Sequence, residues 1–239
     1  AVYFMSSGLM LSIALVLWQV VPVTASPAHR ESYLGLIGSL FKLFVSEPTL
    51  RARGLLALLI FAAFSALWTS MVLPLSAPPL ALSHTAIGLF GLAGAAGALA
   101  ANWAGRLADR GKGALGTTVG LSALVLSWLP LGFAEQSLMA LLIGVLLLDL
   151  AVQLVHVSNQ NAVISLRPEA RTRLNAGYIT CYFIGGALGS LLGTQLFEYS
   201  GWKAIVVAGI LIGTLALLVW VLAERRRKLQ PPRPSAAAS

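Results

Sequence analysis

Asp149, Gln153, His156 and Gln160 are spaced four, three and four residues apart, the spacing that puts four polar groups on one face of an α-helix. They lie in residues 137–166, SLMALLIGVLLLDLAVQLVHVSNQNAVISL, a run long enough to cross a bilayer and otherwise largely apolar. Lipid cannot solvate such a stripe, so it must face protein or a water-filled cavity. An ionisable group at that depth is a candidate for a substrate or proton pathway. Asp149 is about 18 Å into the run at 1.5 Å per residue, near the membrane midplane. A charged carboxylate there costs at least ~2.5 kcal/mol to insert unless it meets water, a partner or a proton. Two readings stay open: Asp149 titrates or contacts substrate, with His156 roughly 10 Å away on the same face, or a protonated or paired Asp149 holds helices together. His156 taken alone reads as a hydrogen-bonder between helices, and Asn159, Gln160 and Asn161 read either as a gate or as polar groups at a helix end.

The elements that must position these groups are membrane spans. The composition is 58% hydrophobic and only 10% charged, against roughly 45–50% and about 25% in soluble domains. The net charge of +8 is explained by cytoplasmic loops before nucleic acid need be invoked. A single cysteine, Cys181, excludes an intrachain disulfide framework. Phosphate-loop and paired-histidine zinc motifs are absent, and His29, His84 and His156 fall on different segments. Neither an enzyme nor a cofactor or metal is expected, since Ser190 has no evident base to activate it. A photoreceptor would want a buried lysine in the last span, where Lys203 sits at the outer end.

Runs of about 20 apolar residues predict seven spans, near 1–22, 54–75, 86–104, 114–134, 137–164, 175–197 and 203–223. All of the 16 lysines and arginines except Lys203 then fall on one side, in the loops near 24–53, 106 and 170 and in the tail. That side is expected to be cytoplasmic, with the amino terminus outside and the carboxyl terminus inside. The opening AVYFM is already apolar and has no initiator methionine, as expected of a piece of something longer. A signal peptide is disfavoured because no positive segment precedes the apolar run, which is too long. Residues 24–53 are the longest non-spanning segment, and within them 33–45 reads as either a surface helix or a partly ordered linker. Residues 224–239 form a basic tail ending in proline and alanine, with no order expected beyond 229.

Gly185, Gly189 and Gly193 recur every four residues, so another helix backbone can approach closely there. Gly88, Gly91, Gly94 and Gly97 make a second small-residue span, whereas 203–223 carries one hydroxyl, Thr214, and reads as lipid-facing. Trp68, Thr69, Ser70 and Pro74 on one span and Tyr178, Thr180 and Tyr182 on another could complete a cavity wall with the polar stripe, though such aromatics also serve as interface anchors.

Residues 105–112, GRLADRGK, resemble the signature loop of the major facilitator superfamily, G-x-L-A-D-R followed by glycine and basic residues. The likeness is good through Arg110; Lys112 then stands where the family has glycine, and Gly113 where it has a basic residue. Residues 167–175, RPEARTRLN, preceded by Asn159 and Gln160 and followed by 182–190, YFIGGALGS, resemble the tenth to eleventh helices of bacterial drug and metabolite antiporters of that family. The resemblance implies an all-α membrane protein with seven transmembrane helices, the family's sixth to twelfth. Six of them would form one half of the twelve-helix bundle. Residues 1–23 would be the lone sixth helix, 24–53 the central cytoplasmic loop, 54–223 the carboxyl-terminal six-helix bundle and 224–239 the tail. It also implies a secondary transporter in a bacterial inner membrane, with proton-coupled efflux of small molecules as the expected activity. Its partners would be lipid, a small-molecule substrate, protons and the missing amino-terminal half, with no nucleic acid. The tenth, seventh and eleventh helices of the family border the pathway, which points to Asp149, Gln153, His156, Gln160, Trp68 and Tyr182. Asp109 and Arg110, with Arg167 and Arg171, would serve as a conformational latch, the acid meeting a helix amino terminus in the opposite half; an ordinary solvated loop is the alternative. A non-transporting membrane remnant or assembly partner is the other reading of the whole chain.

Overall fold

A computed structural model describes residues 2–20, 33–78 and 80–229, and no strand occurs among them. The chain divides into two units, 1–37 and 38–239. The first contains α1 (Val2–Val20), whose apolar side chains from Phe4 to Val20 are exposed, and the beginning of α2 (Tyr33–Ser46). The second holds the rest of α2, then α3 (Pro48–Ser70), α4 (Val72–Ser76), α5 (His84–Asp109), α6 (Gly113–Leu131), α7 (Leu138–Ile164), a 3-10 turn (Pro168–Ala170) and α8 (Arg171–Leu229).

Local chemistry sets the helix ends. Pro48 opens α3, where a missing N–H costs nothing. Ser137 caps α7, its side-chain oxygen accepting from the Ala140 N–H at 3.2 Å. After α5 the chain turns at Gly111, φ +70, and the Lys112 N–H reaches back to the Leu107 carbonyl at 2.7 Å. This six-to-one bond needs a left-handed residue only at Gly111, so the lysine that follows fits without strain. Helix α8 breaks at Ser200 and Gly201, the latter at φ 66, ψ −160, a region open to glycine. It therefore consists of two arms, 171–199 and 202–229.

Contacts fix the direction of each segment. Gly185, Gly189 and Gly193 of the first α8 arm face Leu58, Ala62 and Ala66 of α3 in the same order, so these two run parallel. Helices α6 and α7 are antiparallel, with Gly120 against Ala151 and Val155 and Gly144 against Leu131. The second α8 arm runs antiparallel to α6: the Trp202 indole N–H donates to the Leu131 carbonyl at 2.7 Å and that of Trp220 to Thr118 Oγ1 at 2.8 Å. Helix α5 joins α6 through a three-residue turn and packs on α7. The six segments thus alternate in direction, and the basic residues from Arg51 to Lys228, Lys203 excepted, collect at one end.

Among the described residues, four helical stretches, Pro48–Ser76, Gly113–Leu131, Leu138–Ile164 and Pro168–Leu229, are long and apolar enough to cross a membrane. The last contains both α8 arms, matching the two expected spans at 175–197 and 203–223. The helices overrun those apolar limits. Helix α3 starts at Pro48 and so carries Arg51 and Arg53, which the sequence places in a loop; α5 carries Arg106, and α8 continues through Lys228. The reason is that charge patterning marks where hydrocarbon ends, and a helix continues beyond that level wherever its backbone bonds are satisfied. Residues 21–32 and 230–239, which hold part of the expected central loop and the proline-rich tail, lie outside the described residues.

Apolar burial inserts such helices but does not drive them together in lipid, where close packing has to do so. A Cβ on Gly185 would overlap the Leu58 carbonyl, and one on Gly189 the Ala62 carbonyl. Trp128 lies fully buried against Gly209 of the second α8 arm. At the basic end a second cluster forms from Leu43, Leu50, Ala57, Val163, Leu174 and Tyr178. Part of α2 therefore packs onto protein through Leu43, with Phe44 set against Gly54 and Gly177.

Candidate functional site

Asp149 is only 4% exposed, held between α7 and α3. The Trp68 indole N–H donates to its Oδ1 at 3.2 Å, while Oδ2 is buried with no partner among the described residues. Among the described residues, the acid thus has one oxygen engaged and one without a partner. Trp68 begins a continuous series of rings: Phe64 at 5.9 Å between centroids, Phe61 at a further 5.4 Å, Tyr182 stacked on Phe61 at 3.9 Å and 12°, and His156 at 4.5 Å from Tyr182. The Tyr178 hydroxyl lies 3.1 Å from His156 Nδ1 and donates to the His156 carbonyl at 3.2 Å. Asp149 and His156 of α7 are therefore linked across the helix boundary by rings from α3 and the first α8 arm.

The other stripe residues separate. Gln153 is half-buried between Asp149 and His156 on the α7 face, and Gln160 donates to Asn175 Oδ1 at 2.9 Å, pairing the end of α7 with the start of α8. Trp68 and Tyr182 are half-buried, and Tyr178 is fully buried. Thr69 donates to Ser190 Oγ at 3.1 Å, and Thr180 bonds back to Ala176 in its own helix. Ser70 Oγ is buried with no partner among the described residues.

At the basic end, Asp109, Arg110 and Arg171 are exposed. Arg167 instead pairs with Glu47 at 2.5 Å, and Glu47 is only 3% exposed. The turn after α7 is thereby fastened to the start of α3.

Arg53 is the strongest polar node that the sequence does not disclose. Its Nη1 donates to Thr117 Oγ1 at 2.7 Å and to Asn159 Oδ1 at 2.6 Å, and its guanidinium lies 4.4 Å from the centre of the Trp220 ring. One side chain of α3 thereby meets α6, α7 and the second α8 arm. A basic residue at the edge of an apolar run reads as a loop charge, and nothing in the spacing of Thr117, Asn159 and Trp220 marks them as its partners. Phe61 and Phe64 escape notice for a similar reason, being ordinary apolar residues of a span.

The arrangement offers a carboxyl group with one oxygen unpartnered among the described residues, an imidazole, and π faces between them suited to apolar or cationic groups. A sequence profile described as Major Facilitator Superfamily matches residues 54–239. An uncharacterised transporter of Escherichia coli O157:H7, YgaY, is 50% identical over 219 residues, covering 92% of this chain and 55% of its own length. The protein of the same name in strain K12 matches to the same extent. A Streptomyces coelicolor protein described as a probable transporter, SCO4007, is 35% identical over 153 residues, 62% of this chain and 35% of its own. The chain thus spans about half the length of the Escherichia coli relatives.

Proposed function

The chain belongs to the major facilitator superfamily, and on that premise we propose that it supplies the carboxyl-terminal portion of a secondary transporter that exports small molecules in exchange for protons across a bacterial inner membrane. The basic end of the bundle is the cytoplasmic end in this reading, which rests on the positive-inside rule. Asp149 carries the proton, and Trp68, Tyr182 and His156 form one wall of the substrate route. Gln153 fills that wall between Asp149 and His156, and Gln160 extends it towards the cytoplasm. Asp109, Arg110 and Arg171 latch against the other half of the transporter, while Arg167 acts through Glu47.

The observation that supports this reading best is the state of Asp149: a deeply placed acid with one oxygen on Trp68 and the other without a partner among the described residues. A purely structural acid would be expected to have both oxygens satisfied. An open one suits a group that exchanges a proton during each cycle.

Alternating access rocks two halves about a site between them, so one half cannot transport by itself. In liposomes with an imposed pH gradient, a panel of lipophilic cations and neutral drugs should show no saturable flux through this chain alone. Flux should follow when the amino-terminal half of an Escherichia coli relative is supplied, and disappear with Asp149→Asn. Saturable, gradient-driven flux through the chain alone would overturn the half-transporter reading, and full flux in Asp149→Asn would overturn the role of the acid.

A further inference from the structure

A groove of about 570 Å³ runs between the start of α3 and the end of the second α8 arm. It lies away from Asp149, at the basic end of the bundle. Arg51, Arg53, Arg226 and Arg227 line it, with Glu224 the one acid among its lining residues. Two of these cations are already engaged. Arg53 is held by Thr117 and Asn159, and Arg227 makes a two-point contact with Glu224 at 2.6 and 3.0 Å. Glu224 is therefore neutralised within the groove. Arg51 gives one Nη1 bond to the Val45 carbonyl at 2.9 Å and keeps further donors, and Arg226 is exposed. Because the partners of Arg53 are neutral, the groove retains uncompensated positive charge from three guanidinium groups, of which those of Arg51 and Arg226 have donors to spare.

Its other lining is apolar. Leu55 and Leu222 are exposed beside it, and Trp220 presents an indole at the level of the arginines. A soluble anion would use the guanidinium groups and leave this apolar surface unused. A molecule with a phosphate at one end and hydrocarbon at the other would use both. Guanidinium forks match phosphate oxygens in a two-point geometry, and basic pockets between spans at this level suit anionic headgroups. We propose that this groove binds an anionic phospholipid, its phosphate between Arg51 and Arg226 and an acyl chain along Leu55 and Leu222.

Native mass spectrometry of the purified full chain, released from micelles containing equal phosphatidylglycerol and phosphatidylcholine, tests this directly. Phosphatidylglycerol should be retained about tenfold over phosphatidylcholine. The R51Q/R226Q variant should lose that preference, each single variant should lose part of it, and R110Q, altered at an exposed arginine of the same end outside the groove, should keep it. Inorganic phosphate at millimolar concentration should leave the bound lipid in place. Equal retention of the two lipids by the wild-type chain, or an unchanged preference in both R51Q/R226Q and the single variants, would overturn the proposal. Displacement by inorganic phosphate would overturn it in favour of a soluble-anion site. None of these outcomes depends on whether the chain transports.

Discussion

The guanidinium of Arg53 lies 4.4 Å from the centre of the Trp220 ring, and this pair joins the first turns of α3 to the last arm of α8. With Thr117 and Asn159 on the same guanidinium, four helices depend on one side chain. Arg53→Ala should destabilise the bundle by ~2–4 kcal/mol, because it removes two charge-assisted hydrogen bonds and leaves the Asn159 carbonyl oxygen buried. Trp220→Phe keeps a ring under the cation and loses only the bond to Thr118, so ~1 kcal/mol is expected. Thermal unfolding in detergent should rank the two variants in that order.

The glycines of α8 predict a sharp contrast in tolerance. Gly189→Ala places a methyl group on the Ala62 carbonyl, so α3 and α8 must separate, at a cost of ~2 kcal/mol or more. Gly88 of α5 has open space where a Cβ would stand, and alanine there should be neutral or stabilising by up to ~1 kcal/mol. Folded yield and unfolding midpoint of the two variants check this, and equal behaviour would contradict the contact.

Trp68 and Asp149 should separate in function. With the amino-terminal half of an Escherichia coli relative supplied, as the proposed function requires, Trp68→Phe keeps the ring and frees the oxygen of Asp149 that the indole holds, so flux should persist with an altered dependence on pH. Asp149→Asn should abolish coupling while keeping the indole contact within reach of its amide oxygen. Flux measured over a range of pH in the two variants distinguishes a proton carrier from an acid that only packs helices.

Glu47 and Arg167 form a buried-to-exposed pair, with Glu47 at 3% and Arg167 at 43% exposure. Arg167→Gln leaves the carboxylate buried without that cation and should cost ~1–2 kcal/mol, discounted for the exposure of the arginine. Adding Glu47→Gln should recover part of the loss. A double-mutant cycle on unfolding midpoints measures the coupling, and strict additivity would show that the two do not act together.

Much of this organisation was legible in the chain itself, for reasons tied to particular residues. Gly185, Gly189 and Gly193 announce a close helix contact because only one face can satisfy a spacing of four, although their partner, α3, cannot be read from them. The run around Asp149 announces a span with a polar face. Its rotation towards Trp68 does not show, since periodicity fixes which residues share a face and leaves open what that face meets. Arg53 and Glu47 were hidden because charge at the end of a span is the usual place for charge. Their partners lie far away in the chain, brought close by the alternating directions of the helices.

The break at Ser200 and Gly201 has a bearing on how the protein is made. Its two arms are separated by two non-helical residues, so in the proposed orientation the far side of the bilayer would receive almost no polypeptide between them. They can leave the ribosome and enter the membrane together as a hairpin, in one step. In that orientation the step would come down to carrying Glu198 and Lys203, of opposite charge and flanking the turn, across the bilayer.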